Sequence, residues 1–267
     1  MLQTARHVQR HWSLLRTLTS RELKARYRGS VLGYFWSLVN PILLLAVYTF
    51  VFSVVFNPRD ANTAPYGLFL VTGLFPWIWL QTSWLEGAGS LIANSGLIRK
   101  AAFPAELLPL VPVLANLVHF AFAVPVICVA FIGGRYLGHE AGGWTAVLIP
   151  LVTLCQLPMA AGLALGSAAL QAHFKDVRDL LNNFLTLLFF MTPILYTLKT
   201  LDEFPLVQAI VRFNPVTPFT LAYQDLLFHG QIPGPFIWIS MLIVSIVCWW
   251  GGSWIFERLS DTLVEAV

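Results

Sequence analysis

The chain has 267 residues, 57% hydrophobic and 11% charged, with a formal net charge of +3. Soluble domains carry about 25% charged residues, so this composition excludes a soluble catalytic domain and marks a helical membrane protein that crosses the bilayer several times. Its three cysteines, Cys128, Cys155 and Cys248, all fall in apolar stretches; odd in number, they read as small buried hydrophobes, neither a disulfide framework nor a metal site.

Residues 1 to 28 are polar and two-faced, without the short apolar core of a signal peptide. At 100° per residue, Arg10, Arg21, Lys24 and Arg28 gather on one side, and Val8, Trp12, Leu15 and Leu23 on the other. Thr19 and Glu22 have the spacing of a capping box, which predicts a fresh helix starting at Thr19. Such a segment lies in the membrane interface; a simple positively charged anchor stands beside that reading. Gly29 to Pro58 then contains no Asp, Glu, Lys or Arg. A helix rises about 1.5 Å per residue and needs about 20 apolar residues to cross a bilayer, so a first span emerges directly from the basic run, and Asn40-Pro41 marks a kink within it.

Charge-free windows fall at 29–58, 61–85, 107–134, 141–174, 180–198 and 226–256. Six spans put both termini on one side. Twelve Lys and Arg then lie on that side and four, Arg59, Arg135, Lys199 and Arg212, on the other, which places both termini in the cytoplasm. The loop 86–106 is cytoplasmic. Leu97 to Phe103 reads as a short basic-apolar helix, and Pro104 with Glu106 restarts the chain as the third span. His173-Phe174-Lys175-Asp176-Val177-Arg178-Asp179 closes a tight turn by local ion pairs. Between Lys199 and Pro235, the apolar pieces Phe204–Phe213 and Pro218–Phe228 are each too short to span. Thr217 and Pro218 start the second piece and Gly230 stops it, so two half-helices dip into the outer leaflet. The fold class is therefore an all-α membrane protein: an interface helix (residues 1–29), six spans (30–256) with two re-entrant helices between the fifth and sixth, and a cytoplasmic tail (257–267), all in one domain.

Absent chemistry narrows the function. None of the four lysines belongs to a phosphate-binding loop, so the chain has no ATPase of its own. The span centres carry no Asp, Glu, Lys or Arg, the groups that proton- and sodium-coupled carriers use; His119 alone is ionisable at depth. No carboxylate pair or His/Cys cluster suggests catalysis. A transporter built this way takes its energy from elsewhere. Aromatic rings lie at depth at Tyr48, Phe50, Phe69, Phe75, Phe184, Phe189, Phe190 and Tyr196, with Asn182, Asn183 and Thr192 as polar neighbours. Each ring alone reads as packing; together they suit an uncharged passage that tolerates sugars.

RELKARYRGSVLGYFWSLVNPILLLAVYTFVFSVVF, the loop LIRKAAFPAE, the turn HFKDVRD, the segment MTPILY and FNPVTPFTLAYQDLLFHG stand in this order from about Leu14 to Arg258. Together they resemble the ABC-2 type permeases that export bacterial cell-surface polysaccharides, with O-antigen exporters the nearest subgroup. The resemblance implies a homodimer of six-span subunits in the bacterial inner membrane, joined to two copies of a separate subunit that binds ATP and Mg. This chain itself binds no cofactor, metal or nucleic acid and is no enzyme. The implied substrate is a polysaccharide on an undecaprenyl pyrophosphate carrier, moved from cytoplasm to periplasm. By the same resemblance Leu97, Ile98, Arg99, Lys100 and Phe103 fall on the ATPase-coupling loop, and residues 19–29 on a gate segment whose Arg21, Lys24, Arg26 and Arg28 meet the lipid headgroup. Tyr34, Asn40, Tyr48, Asn182, Asn183, Phe189, Phe190 and Tyr196 fall on the channel lining. The alternatives are export of teichoic acid, capsule or small hydrophobic molecules on the same fold, and a membrane scaffold that transports nothing.

Overall fold

A computed structural model of the chain describes residues 2–29, 33–51, 65–98, 103–136 and 143–263. Regular structure among them is helical throughout: α1 (Leu2–Arg10), α2 (Trp12–Arg26), α3 (Trp36–Phe50), α4 (Tyr66–Ala93), α5 (Ser95–Ile98), α6 (Leu107–Tyr136), α7 (Ile149–His173), α8 (Val177–Phe190), α9 (Pro205–Phe213), α10 (Thr217–Gln224) and α11 (Pro235–Leu259). Among the described residues, four stretches are long and apolar enough to cross a bilayer: Tyr66–Ala93, Leu107–Ile132, Trp144–His173 and Pro235–Leu259. They occupy the second, third, fourth and sixth windows. Their internal prolines, Pro76, Pro112, Pro125 and Pro158, do not end them, because neighbouring helices and side chains can satisfy the freed carbonyls in a span.

The first and fifth windows hold shorter helices. α3 has 15 residues and α8 has 14, each about 21–23 Å long at the helical rise. Residues 52–58, which complete the first window, lie outside the described residues. In the fifth window the helix stops at Phe190, short of Pro193, whose ring disfavours helical backbone at the preceding residue. The carbonyls released there are taken up by side chains. Asn214 donates to the Met191 carbonyl at 3.0 Å, Gln224 to Pro193 at 2.7 Å, and the Tyr66 hydroxyl to Leu195 at 3.1 Å. Window 180–198 is thus half helix and half side-chain-braced irregular chain, where the sequence pattern predicts one continuous span.

α9 and α10 match the two predicted pieces. Pro205 and Pro218 sit in their first turns, where a missing N–H costs nothing. α10 continues into the helical turn Asp225–His229, which Gly230 ends at φ +64°, in the left-handed region that glycine enters freely. The Thr217 hydroxyl donates to the Val211 carbonyl at 2.6 Å, tying the two together. The N-terminal segment departs from expectation in one respect. Its break lies at His11, and α2 runs through Thr19. The Thr19 hydroxyl donates back to the Leu15 carbonyl at 2.9 Å instead of capping, because Leu15 and Thr19 together form the buried face of α2 against α6.

Side-chain pairs give the helix directions. α4 runs opposite to α6 (Trp79 on Phe120, Glu86 on Asn116) and opposite to α8 (Trp77 on Phe189, Trp84 on Phe184). α7 runs parallel to α11, with Ser245 donating to the Cys155 carbonyl and Gly162 seated against Gly252. Two apolar cores result. The larger gathers Phe69, Trp79, Phe219 and Tyr223 with parts of α6, α7 and α8. The smaller joins Leu15 of α2, Leu91, Ile98, Leu107, Phe256 and Leu263. It therefore ties the N-terminal helices, the loop after α4 and the C-terminal end into one unit.

Candidate functional site

Among the four cations of the predicted gate segment, Arg26 parts from the other three. Arg21, Lys24 and Arg28 recur at three- and four-residue spacing and line an open groove with Trp12 and Arg16. Arg16, five residues before Arg21, joins them in this groove and was not among the predicted gate residues. Arg26 points the other way. Its Nη2 donates to Glu86 Oε2 at 2.7 Å and its Nη1 to Asn116 Oδ1 at 2.9 Å, while Asn116 Nδ2 donates to the same Glu86 oxygen at 2.7 Å. Burial opposes the guanidinium charge, but the Glu86 carboxylate, helped by Glu22 at 3.7 Å, outweighs it and holds the Arg26 pKa above its ordinary value. On the next residue, the Tyr27 hydroxyl lies 3.2 Å from His119 Nδ1.

Glu86 and Asn116 were not legible as site residues. The charge-free window ends at Leu85, so Glu86 reads as a loop residue; α4 in fact runs seven residues further, to Ala93. Asn116 stands in an apolar run, three residues from His119 and so on the same helical face. That pairing was the available signal.

At the predicted coupling loop, α5 is a single turn, Ser95–Ile98, where the sequence suggests a helix from Leu97 to Phe103. Ile98 is buried in the smaller core, and Leu97 and Phe103 pack against it. Arg99 and Lys100 lie outside the described residues. From this loop a polar groove of about 440 Å³ runs between α2, α4 and α6, with Arg21, Glu22, Arg26, Glu86, Asn94 and, from α8, Arg178 in its walls.

The predicted lining residues fall into two sets. Tyr48 of α3 stacks on Phe189 of α8 at 5.9 Å, Trp77 of α4 packs on the same ring at 5.6 Å, and Phe190 meets it edge-on at 5.2 Å. The Tyr196 hydroxyl closes the group by donating to the Phe190 carbonyl at 2.9 Å. Phe189 is buried in this cluster while Phe190 is 58% exposed. Asn182 and Asn183 are exposed on α8, with Asn183 about 10 Å down the helix from Phe190. Tyr34 belongs to the turn Gly33–Phe35 and Asn40 to α3; their side chains lie outside the described set. Trp77 faces this aromatic cluster, held by its Nε1 donating to Gln81 Oε1 at 2.8 Å.

An open wall of α3 and α8, a basic face on α2 and a loop after α4 packed on the smaller core suit a transporter's membrane half. The sequence pattern of the ABC-2 type transporter family matches residues 13–228, from α2 through the turn after α10. The chain belongs to the ABC-2 type transporter family. Among curated proteins, it is 34% identical over 270 residues to the O-antigen export system permease protein RfbA of Myxococcus xanthus, covering 100% of both chains. It is 32% identical to the permease of the same name from Klebsiella pneumoniae, over 95% of each. The polysialic acid transport protein KpsM of Escherichia coli is 21% identical over 79% of this chain and 80% of that one. In ABC-2 terms, the matched region contains the loop after α4, the aromatic wall and the Arg26–Glu86–Asn116 ring, and ends before α11.

Proposed function

We propose that this ABC-2 chain is the membrane subunit of an exporter for an O-antigen-like polysaccharide. Two copies work with two separate ATP-binding subunits and move the glycan, carried on undecaprenyl pyrophosphate, from cytoplasm to periplasm. The observation that carries this reading is the end-to-end similarity to O-antigen export permeases. α3 and α8 supply the passage wall. Exposed Asn182, Asn183 and Phe190 face the glycan, with Tyr34, in the turn before α3, and Asn40 of α3 as further lining candidates; aromatic faces and amides bind sugar without charge. Tyr48, Phe189 and Tyr196 brace that wall from behind. Arg21, Lys24 and Arg28, joined by Arg16, attract the anionic pyrophosphate at the cytoplasmic leaflet. Leu97, Ile98, Arg99, Lys100 and Phe103 receive the push of the ATP-binding subunits.

Six spans with both termini cytoplasmic accompany this reading, α3 and α8 being the first and fifth and α9 with α10 the periplasmic half-helices. The alternating helix directions and the Lys/Arg distribution support that topology. The more distant likeness to a polysialic acid transport protein makes a capsule polysaccharide the nearest alternative cargo.

The test is a purified complex with its ATP-binding subunit in proteoliposomes, assayed for ATP hydrolysis and for translocation of lipid-linked O-antigen, capsule glycan and small hydrophobic compounds. ATP-dependent movement of the O-antigen substrate is expected. Movement of small hydrophobic compounds alone would overturn the reading.

A further inference from the structure

Two acidic residues bracket the loop between α4 and α6, and both hold the N-terminal segment. Glu86, seven residues before the end of α4, closes a three-membered ring with Arg26 and Asn116. Glu106, on the far side of the loop, has Oε1 2.8 Å from His7 Nδ1 of α1. Between these two points, Leu15 of α2 is buried in the apolar core that also takes in Ile98 and Leu107, and Leu14 and Leu18 pack against it. Arg26 is the last residue of α2, ten residues before α3 begins.

We infer that Glu86 and Asn116 are positioning residues that lock the end of α2 to the α4–α6 hairpin, so that displacement of the loop between those helices is carried through Arg26 to the start of α3. The inference rests on the reading of the chain as an ATP-driven permease, because it needs a partner that moves the loop.

The ring is suited to this because its centre is buried. Asn116 is only 4% exposed, so opening the ring strands its amide, while the Arg26–Glu86 pair stays partly in contact with solvent, at 27% and 38% exposure. Leaving a buried polar group unmatched costs more than the bond itself contributes. The Tyr27–His119 contact, ring edge to ring face at 5.5 Å, adds a second attachment one residue on. α2 therefore follows α4 and α6 as a body, and Gly29, at φ +80°, lies between its end and α3.

The experiment uses the full complex in proteoliposomes, with Glu86→Gln, Asn116→Ala and the exchange Arg26→Glu with Glu86→Arg. Amide hydrogen exchange across residues 12–26 and 86–98 is followed with and without a non-hydrolysable ATP analogue. The native complex shows a nucleotide-dependent change in both segments. In Glu86→Gln and Asn116→Ala only residues 86–98 respond, and transport per ATP hydrolysed falls about tenfold with the hydrolysis rate within twofold of native; the exchanged pair recovers at least half of the lost coupling. A nucleotide response in residues 12–26 that persists in both single variants overturns the inference, as does an exchanged pair that assembles yet recovers nothing. Exchange is read without any cargo, so a complex that carries no glycan removes the proposed function while leaving this test intact.

Discussion

α4 and α11 are both long apolar helices, of 28 and 25 residues, yet they occupy opposite environments. The most apolar stretch of α4 has a mean hydropathy of 1.3 and lies largely inside the protein; that of α11 reaches 1.8 and is largely exposed. α4 buries Trp79, Thr72, Ser83 and Ser90 and carries Glu86, whereas α11 turns Phe236, Ile243, Ile246 and Trp254 outward. In water the ranking would be reversed. In a bilayer, lipid tails solvate apolar side chains as well as a protein core does, so the helix facing lipid must be the greasier one, and the helix inside the bundle can afford polar groups that find partners. Hydropathy thus reports the lipid side, and only packing reports the inside.

A matched pair of tryptophans breaks or sharpens this contrast most strongly. Trp79 is 2% exposed, stacked on Phe120 and donating to the Val113 carbonyl at 3.4 Å; Trp79→Ala should cost about 3–5 kcal/mol. Trp254 is 57% exposed, and Trp254→Ala should cost under about 1 kcal/mol, since lipid replaces the lost contacts. Thermal unfolding of the chain in lipid nanodiscs measures both, and equal losses would contradict the contrast.

The next effect lies on the seam where α11 does touch protein. A Cβ at Gly252 would overlap the Gly162 carbonyl, while one at the adjacent Gly251 meets open space. Gly252→Ala should destabilise by about 2–3 kcal/mol through overpacking, and Gly251→Ala should be neutral or slightly stabilising through helix propensity. The same nanodisc unfolding experiment distinguishes them.

A smaller loss is expected at Asn214, which donates to the Met191 carbonyl and the Thr192 hydroxyl and accepts from the Val216 N–H at 2.9 Å. Asn214→Ala leaves buried polar groups unpaired and should cost about 1–3 kcal/mol; increased protease cutting between residues 191 and 217 would report it. Least of all for stability, Arg21, Lys24 and Arg28 changed together to Gln should leave assembly and unfolding temperature near native, while glycan export falls severalfold. Unchanged export in proteoliposomes would reduce these three cations to topology signals.

Much of the half-helix region was legible because its signals are local. Pro218 in a first turn and Gly230 at a positive φ act through the backbone of their own residues. Thr19 shows the limit of such signals. It has the spacing of a cap, but burying Leu15 and Thr19 against α6 keeps the helix unbroken and turns the hydroxyl to a carbonyl four residues back. The end of α8 was illegible for a related reason. Residues 191–198 are apolar enough to continue a span, and what makes their irregular backbone tolerable is a set of donors from Tyr66, Asn214 and Gln224, up to 129 residues away in the chain.

By itself the sequence determined the class of the molecule, the places of four long helices and of the short helices α9 and α10, which follow from residue composition, period and backbone chemistry, and its motifs pointed to the family. The helical period by itself sets Arg26 apart from Lys24 and Arg28, two residues to either side; tertiary structure alone decided what Arg26 meets there. The reason is geometric: a helix turns about 200° in two residues, and only the packing of α2 on α4 and α6 puts Glu86 and Asn116 where that turn delivers the guanidinium.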